Sequence, residues 1–211
     1  MKKVRLISLI LMLSLLTACF GGGGDKKDIA AEMPHYYVVD VDRGPVEPPF
    51  AGQRVLYLKP VKVTSQFRGK TIVFKVGTNE YQPQLLHELF SSPEEMFTEQ
   101  LKRWLQKSGL FSHIVTDENA EADMVLETAI TALYGEADEM KFPQSVLEMQ
   151  IFLMSADKDI SSPLMQTGLR LEVDIKETTP KQVVKGWKIG LEELLVTLEE
   201  DFRAYFLKRN P

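Results

Sequence analysis

The chain has 211 residues, a formal charge of −5, 44% hydrophobic residues and 26% charged residues. This is the composition of one globular domain with room for appendages, and it excludes wholesale disorder and a fibrous repeat. A single cysteine excludes an intrachain disulfide and a cysteine-rich zinc site, and the acidic balance argues against nucleic-acid binding.

Lys2, Lys3 and Arg5 precede an apolar run from Leu6 to Leu16. At about eleven residues, that run is too short to cross a ~30 Å hydrocarbon core as a helix. A basic start, a short apolar stretch and small residues are the layout of a secretory signal peptide, here residues 1–18. Its removal takes the basic count from 25 to 22 against 30 acidic residues, a net −8. No later segment is long and apolar enough to span a membrane.

Leu16-Thr17-Ala18-Cys19 has the form of a bacterial lipobox. In that class the cysteine thiol takes a diacylglyceryl group, cleavage falls before the cysteine, and the new amine is acylated. Two or more acyl chains hold a protein stably at a bilayer. Phe20 stands where an aspartate would favour retention in the inner membrane. The expected location is therefore the outer membrane, facing the periplasm. Residues 19–34, with Gly21 to Gly24 followed by Asp25-Lys26-Lys27-Asp28, read as an acylated N-terminus and flexible tether. Roughly fourteen such residues reach about 20 Å. No strand precedes these glycines and no Lys-Ser/Thr follows at phosphate-loop spacing.

Residues 35–211 read as one domain. His35 to Asp42 (HYYVVDVD) predicts a strand. The Gly- and Pro-rich stretch 44–52 is a loop. Arg54 to Thr64 predicts one strand with Val55, Tyr57, Val61 and Val63 on one face, and Thr71 to Val76 another. Gly77-Thr78-Asn79 is a turn, and a short extended piece at Glu80 and Tyr81 stops before Pro83. A helix is expected over Pro93 to Ser108, with Ser92 and Glu95 forming a capping box, Pro93 at its first position and Gly109 as its stop. Phe111 to Val115 is a strand. Three longer strands follow at about 123–133, 146–155 and 167–176. Leu147, Met149, Ile151 and Leu153 share a face of the second; Leu169, Leu171, Val173 and Ile175 share a face of the third, with a wet opposite face.

The final helix runs from about Pro180 to Lys208, capped by Thr179, with Gln182 at the capping-box position. Its apolar stripe comprises Val184, Trp187, Leu191, Leu194, Leu195, Leu198, Phe202 and Tyr205. Gly186 and Gly190 weaken that helix by about 1 kcal/mol each relative to alanine. Their presence calls for close packing, first against the domain's own sheet and alternatively against another subunit. The sum is an α+β fold: a mainly antiparallel sheet with one mid-chain and one long C-terminal helix on one face.

Chemistry is sparse. His35, His87 and His113 show no metal-ligand spacing, and no Gly-x-Ser-x-Gly or Ser-x-x-Lys motif is present. The paired carboxylates fall on helices, where they read as solvated faces. No catalytic residue, metal or cofactor is implied, so the expectation is a non-enzymatic protein. Glu136, Asp138 and Glu139 read as a wet hairpin tip, with a recognition loop as the alternative. Met140, Met149, Met154 and Met165 read as core packing, with a lipid-facing groove as the sharper alternative.

The stretch Glu80-Tyr81, Leu89-Phe90, Ser92 to Met96, Leu101, Trp104-Leu105 and Ser108 to Phe111 adds a resemblance. With the lipobox, Tyr36-Tyr37, and Phe67, Gly69 and Ile72-Val73-Phe74, it resembles the ABC-type transport auxiliary lipoproteins, the PqiC-like group. The match covers roughly residues 36–116. Lys75 stands where many members carry arginine, and one branch's Leu-Pro-x-Tyr-Leu is absent.

The resemblance implies an auxiliary lipoprotein beside an ABC transporter and an MCE-domain protein that moves lipids or other hydrophobic compounds between membranes, with a homo-oligomeric ring as the assembled form. Cys19 would carry the anchor. Phe67, Gly69 and Phe74 are the candidate partner or ligand contacts, with core packing as their alternative. The competing reading is an assembly or pilot lipoprotein for another envelope machine, such as a secretin or a peptidoglycan synthase.

Overall fold

The computed structural model describes residues 33–50, 54–157 and 159–209. Cys19, the signal segment and most of the tether lie outside the described residues. The folded unit, from Pro34 onward, is an α+β domain, with nine strands and two helices among the described residues. In chain order these are β1 (His35–Tyr37), β2 (Arg54–Leu58), β3 (Lys62–Val63), β4 (Thr71–Lys75), β5 (Tyr81–Leu89), α1 (Pro93–Lys107), β6 (Phe111–Val115), β7 (Met124–Glu136), β8 (Gln144–Ser155), β9 (Met165–Asp174) and α2 (Pro180–Arg209).

All nine strands join one mixed sheet with β7 as its spine. Along one edge β7 pairs with β8, antiparallel over its whole length, and β8 pairs with β9 in the same sense. Along its other edge β7 receives β2, β3 and β4 in series, all parallel. β6 lies parallel beside β2, β5 antiparallel beside β4, and β1 parallel beside β5. The long ladders are antiparallel and the short ones parallel.

Both helices cover one face of this sheet. The capping box of α1 forms as expected: Ser92 accepts from the Glu95 amide and Glu95 accepts from the Ser92 amide. Gly109 ends the helix at φ +70°, and a Cβ there would lie 2.4 Å from the Pro48 carbonyl oxygen. On α2 the Thr179 hydroxyl accepts from the Gln182 amide. The predicted stripe of α2 is buried except for half-buried Tyr205, and Val183 and Phe206 join it. Trp187 anchors it, with Nε1 donating to the Val146 carbonyl at 3.0 Å.

Gly186 and Gly190 lie on the domain's own sheet. A Cβ at Gly186 would sit 2.3 Å from the Ser145 Cβ, and one at Gly190 would sit 3.2 Å from the Leu171 Cβ. The four apolar β8 residues all face the helices and are buried, and β9 alternates half-buried and exposed along its length.

Four expectations change. The strand predicted over 35–42 ends at Tyr37, because the following backbone finds side-chain partners on α1. The Val39 amide donates to Met96 Sδ at 3.3 Å, and the Val41 amide to Gln100 Oε1 at 3.0 Å. Residues 38–50 thus form a strap across the helices rather than a sheet strand. The strand predicted over 54–64 is two strands, because Pro60 has no N–H to continue the ladder. The alternation also changes phase there: Leu56 and Leu58 are buried before it, Val61 and Val63 after it.

The third change is at Pro83. β5 runs through this residue for nine residues, because β1 covers only His87–Leu89 and leaves 81–86 as sheet edge, where proline is tolerated. The fourth is at Glu136. It is the last residue of β7 and is buried, so the wet tip begins after it.

Candidate functional site

The face of the sheet away from the helices is where polar and aromatic side chains collect. A register shift in β7 between Ile130 and Ala132 turns Tyr134 and Glu136 onto this face while Gly135 looks at α2. Tyr134 is opposite Val146, which is opposite Glu172. Ala132 is opposite Glu148, which is opposite Arg170.

Arg170 is the hub. Its Nε donates to Glu172 at 2.7 Å, Nη1 to Glu148 at 2.7 Å and Nη2 to the Tyr134 hydroxyl at 3.1 Å. The Thr131 hydroxyl donates to the second oxygen of Glu148 at 2.7 Å. Partial burial pulls the Arg170 pKa down. The bonds to Glu148, Tyr134 and Glu172 outweigh it and hold the guanidinium charged beyond its ordinary range. The same bond from Arg170, then that from Thr131, hold the Glu148 carboxyl below the usual carboxylate value against the opposing effect of burial.

Above this network sits an aromatic triangle. Phe67, Tyr81 and Tyr134 have ring centroids 5.7–5.8 Å apart. The Lys75 ammonium lies 5.6 Å from the Tyr134 centroid. Each aromatic pair contributes about 0.5–1.5 kcal/mol beyond area burial, and the cation about 0.5–1 kcal/mol. Burial raises the Tyr81 phenol above its ordinary pKa. At the opposite end of the same face an open cleft of about 460 Å³ is lined by Tyr57, Val125, Met154 and Ile160, with the Lys59–Glu127 ion pair at its side.

The three candidate contacts separate. Phe67 is buried in the aromatic triangle. Phe74, one strand position from Lys75, points the other way into the core, its ring against Gly135. Gly69 is exposed, with nothing within 4 Å of where a Cβ would stand. Of the methionines, Met149 is core, Met154 lines the cleft, Met165 is half-buried and Met140 is 92% exposed. His35 and His87 stack across β1 and β5 at 5.0 Å, with the Tyr37 hydroxyl 2.8 Å from His87 Nδ1. Among the described residues no group of three or more His, Cys, Asp or Glu is placed to hold a metal ion.

A second cluster is structural. Glu199 on α2 is buried and accepts from Arg43 Nε at 2.7 Å, Arg43 Nη2 at 2.6 Å, Arg203 Nη2 at 3.0 Å and Trp104 Nε1 at 3.1 Å. It ties the strap to both helices. Burial opposes its ionisation, and the bonds from Arg43 and Arg203 overcome that, so its pKa lies below the ordinary carboxylate value.

The sequence missed both clusters. Alternation in β9 did place Arg170 and Glu172 on the wet face. Their partners on β7 and β8 depend on strand register and on a shift that no local pattern announces.

No family model matches the chain, and no curated protein matches it. Solved structures do. The protein XCC0632 from Xanthomonas campestris, described as DUF330, superposes with a TM-score of 0.70 at 12% identity over 83% of this chain and 99% of that one. A crystal structure of an uncharacterized protein gives 0.63 at 15% identity, over 81% and 99%. The hypothetical protein CT253 from Chlamydia trachomatis gives 0.51 at 11% identity, over 72% and 99%. At these identities the likeness is one of fold, and the domain has the fold of a DUF330 protein.

Proposed function

We propose that this chain is a membrane-tethered lipoprotein of the bacterial envelope, non-enzymatic, that serves an ABC- and MCE-type system moving lipids or other hydrophobic compounds between membranes. The observation that carries the anchor is Leu16-Thr17-Ala18-Cys19, closing a basic-then-apolar leader and holding the chain's one cysteine. Acylated there and followed by Phe20, the mature protein sits on the outer membrane and faces the periplasm. The folded unit then begins about fifteen residues beyond the anchor.

The transport role rests on the resemblance over residues 36–116, and the capped helix α1 within that stretch supports it. The paired charges of Arg170, Glu148 and Glu172 on the face away from the helices, with Tyr81 exposed beside them, suit a binding module. Assembly into a ring against an MCE-domain partner is part of this proposal.

The test is in native cells. The chain is tagged at its C-terminus, crosslinked, gently solubilised, and its co-purifying proteins are identified by mass spectrometry. Recovery of an MCE protein with its ABC permease is the expected result. Recovery of a secretin or a peptidoglycan synthase instead refutes the transport role and leaves an assembly lipoprotein. Cys19→Ser is expected to move the protein from the membrane fraction to the soluble fraction.

A further inference from the structure

The β7–β8 hairpin ends in Ala137 to Pro143, and its two apolar side chains point into solvent. Met140 is 92% exposed and Phe142 85%, the highest values among the large hydrophobic residues described. The loop that carries them is braced. The Ala137 amide donates to the Lys75 carbonyl at 2.8 Å, the Ile175 amide to the Pro143 carbonyl at 3.0 Å, and Met140 and Lys141 amides to Asp138 at 3.0 and 2.9 Å. Lys141 Nζ is held by Glu136 at 3.1 Å.

The tip lies at the end of the sheet from which the chain enters the domain. β1 is parallel to β5, and β5 starts at Tyr81, opposite Lys75, which in turn is opposite Glu136 at the base of the tip. Glu88 is opposite Thr71, four β4 positions from Lys75, so His35, opposite His87, is no more than about 13 Å from that level. Three strand spacings separate β1 from β7, about 14 Å. The sixteen residues from Cys19 to His35 span at most about 55 Å, so an anchor at Cys19 leaves ample chain for the tip to meet the bilayer surface.

We infer that Met140 and Phe142 dip into the membrane to which the chain is anchored, so that the domain stands on its hairpin end. This rests on the acylation of Cys19. Two projecting side chains ringed by Asp138, Glu139 and Lys141 are far short of the ~1,200 Å² of a stable protein interface. Shallow insertion of two apolar groups, assisted by an existing anchor, needs no more than they offer. Asp138 and Glu139 outnumber Lys141, which is itself paired with Glu136, so the tip carries no positive charge to attract anionic lipid and the docking is apolar.

The test uses the full lipidated chain carrying Met140→Cys, labelled with an environment-sensitive thiol dye. It is reconstituted in phosphatidylethanolamine–phosphatidylglycerol vesicles with and without doxyl-labelled lipid. In an acylated chain the Cys19 sulfur is a thioether, so the parent protein takes no dye. Glu118→Cys, in the loop before β7 at the opposite end of that strand, is the reference.

The expected result is quenching of the dye at position 140 by doxyl lipid and its protection from aqueous iodide, with the reverse at 118. Phe142→Asp in the same labelled chain is expected to lower the docked-to-free ratio roughly tenfold. An undyed parent chain together with a dye at 140 as open to iodide as at 118 overturns the docking while the anchor stands. The tip is then a surface for a protein partner. A parent chain that takes dye at Cys19 overturns the acylation reading, and this inference with it.

Discussion

Replacing Glu199 with alanine removes the acceptor that joins the strap to both helices. Its partner Arg43 has a side chain only 10% exposed, and Glu199 itself is 11% exposed. The change therefore leaves a largely buried guanidinium with only the Pro45 carbonyl at 2.9 Å and the Glu47 carboxylate at 3.6 Å as partners. Removing one member of such a buried pair costs about 3–5 kcal/mol. At about 2–4 °C per kcal/mol for a domain of this size, the melting temperature drops by roughly 6–20 °C.

The assay is urea and thermal unfolding of Glu199→Ala, Arg43→Ala and the double variant. The singles are expected to be strongly destabilised and clearly non-additive in combination. Arg43→Met with Glu199→Leu, which swaps the pair for apolar groups, is expected to recover most of the loss. A Glu199→Ala protein within about 1 kcal/mol of the parent, the range of an exposed pair, refutes the reasoning.

Acid titration follows from the same cluster. Glu199 and Glu148 both lie below the ordinary value of 4.5 in the folded state, so their contribution is complete above that value and is lost as pH falls through their folded pKa. Unfolding monitored by circular dichroism should show stability declining below about pH 4.5, with a smaller slope in Glu199→Gln. Gly186→Ala forces a Cβ to 2.3 Å from Ser145, and despite better helix propensity it should cost about 1–3 kcal/mol in urea unfolding. Phe67→Ala, in the aromatic triangle, should cost about 3–5 kcal/mol. Gly69→Ala meets open space and should leave stability within about 1 kcal/mol, so any loss of partner recovery in the crosslinking experiment would report a contact.

Local patterns carried most of the secondary structure. The boundaries of α1 follow from four residues, Ser92, Pro93, Glu95 and Gly109, each of which acts within one turn. The alternation of β9 and the glycine pair of α2 were equally legible, because each describes a face and its packing partner. What failed was non-local. Val39 and Val41 have strand-forming side chains, yet their amides bond side chains of α1, about sixty residues away. Pro83 looks like a strand stop until β1 is known to leave it on an edge. Arg43 and Glu199 are 156 residues apart, and their charges are ordinary in sequence. Of the candidate contacts, Phe67 and Phe74 carry the same side chain, yet Phe67 sits on a short turn between β3 and β4 and packs on Tyr81 and Tyr134, while Phe74 on β4 packs against Gly135; only the tertiary arrangement separates them.

The short first strand has a mechanical meaning. Any load applied at the N-terminus of the folded unit is delivered to His35 and directed back along β1. Because β1 and β5 are parallel, such a pull stretches their hydrogen bonds together in shear and does not unzip them one by one. The next links in series are the Val39 and Val41 amides on α1, then the Arg43 fork on Glu199 of α2. Three residues of strand and a strap thus pass tension from the point of attachment into both helices and the core, and the domain is braced where it would be pulled.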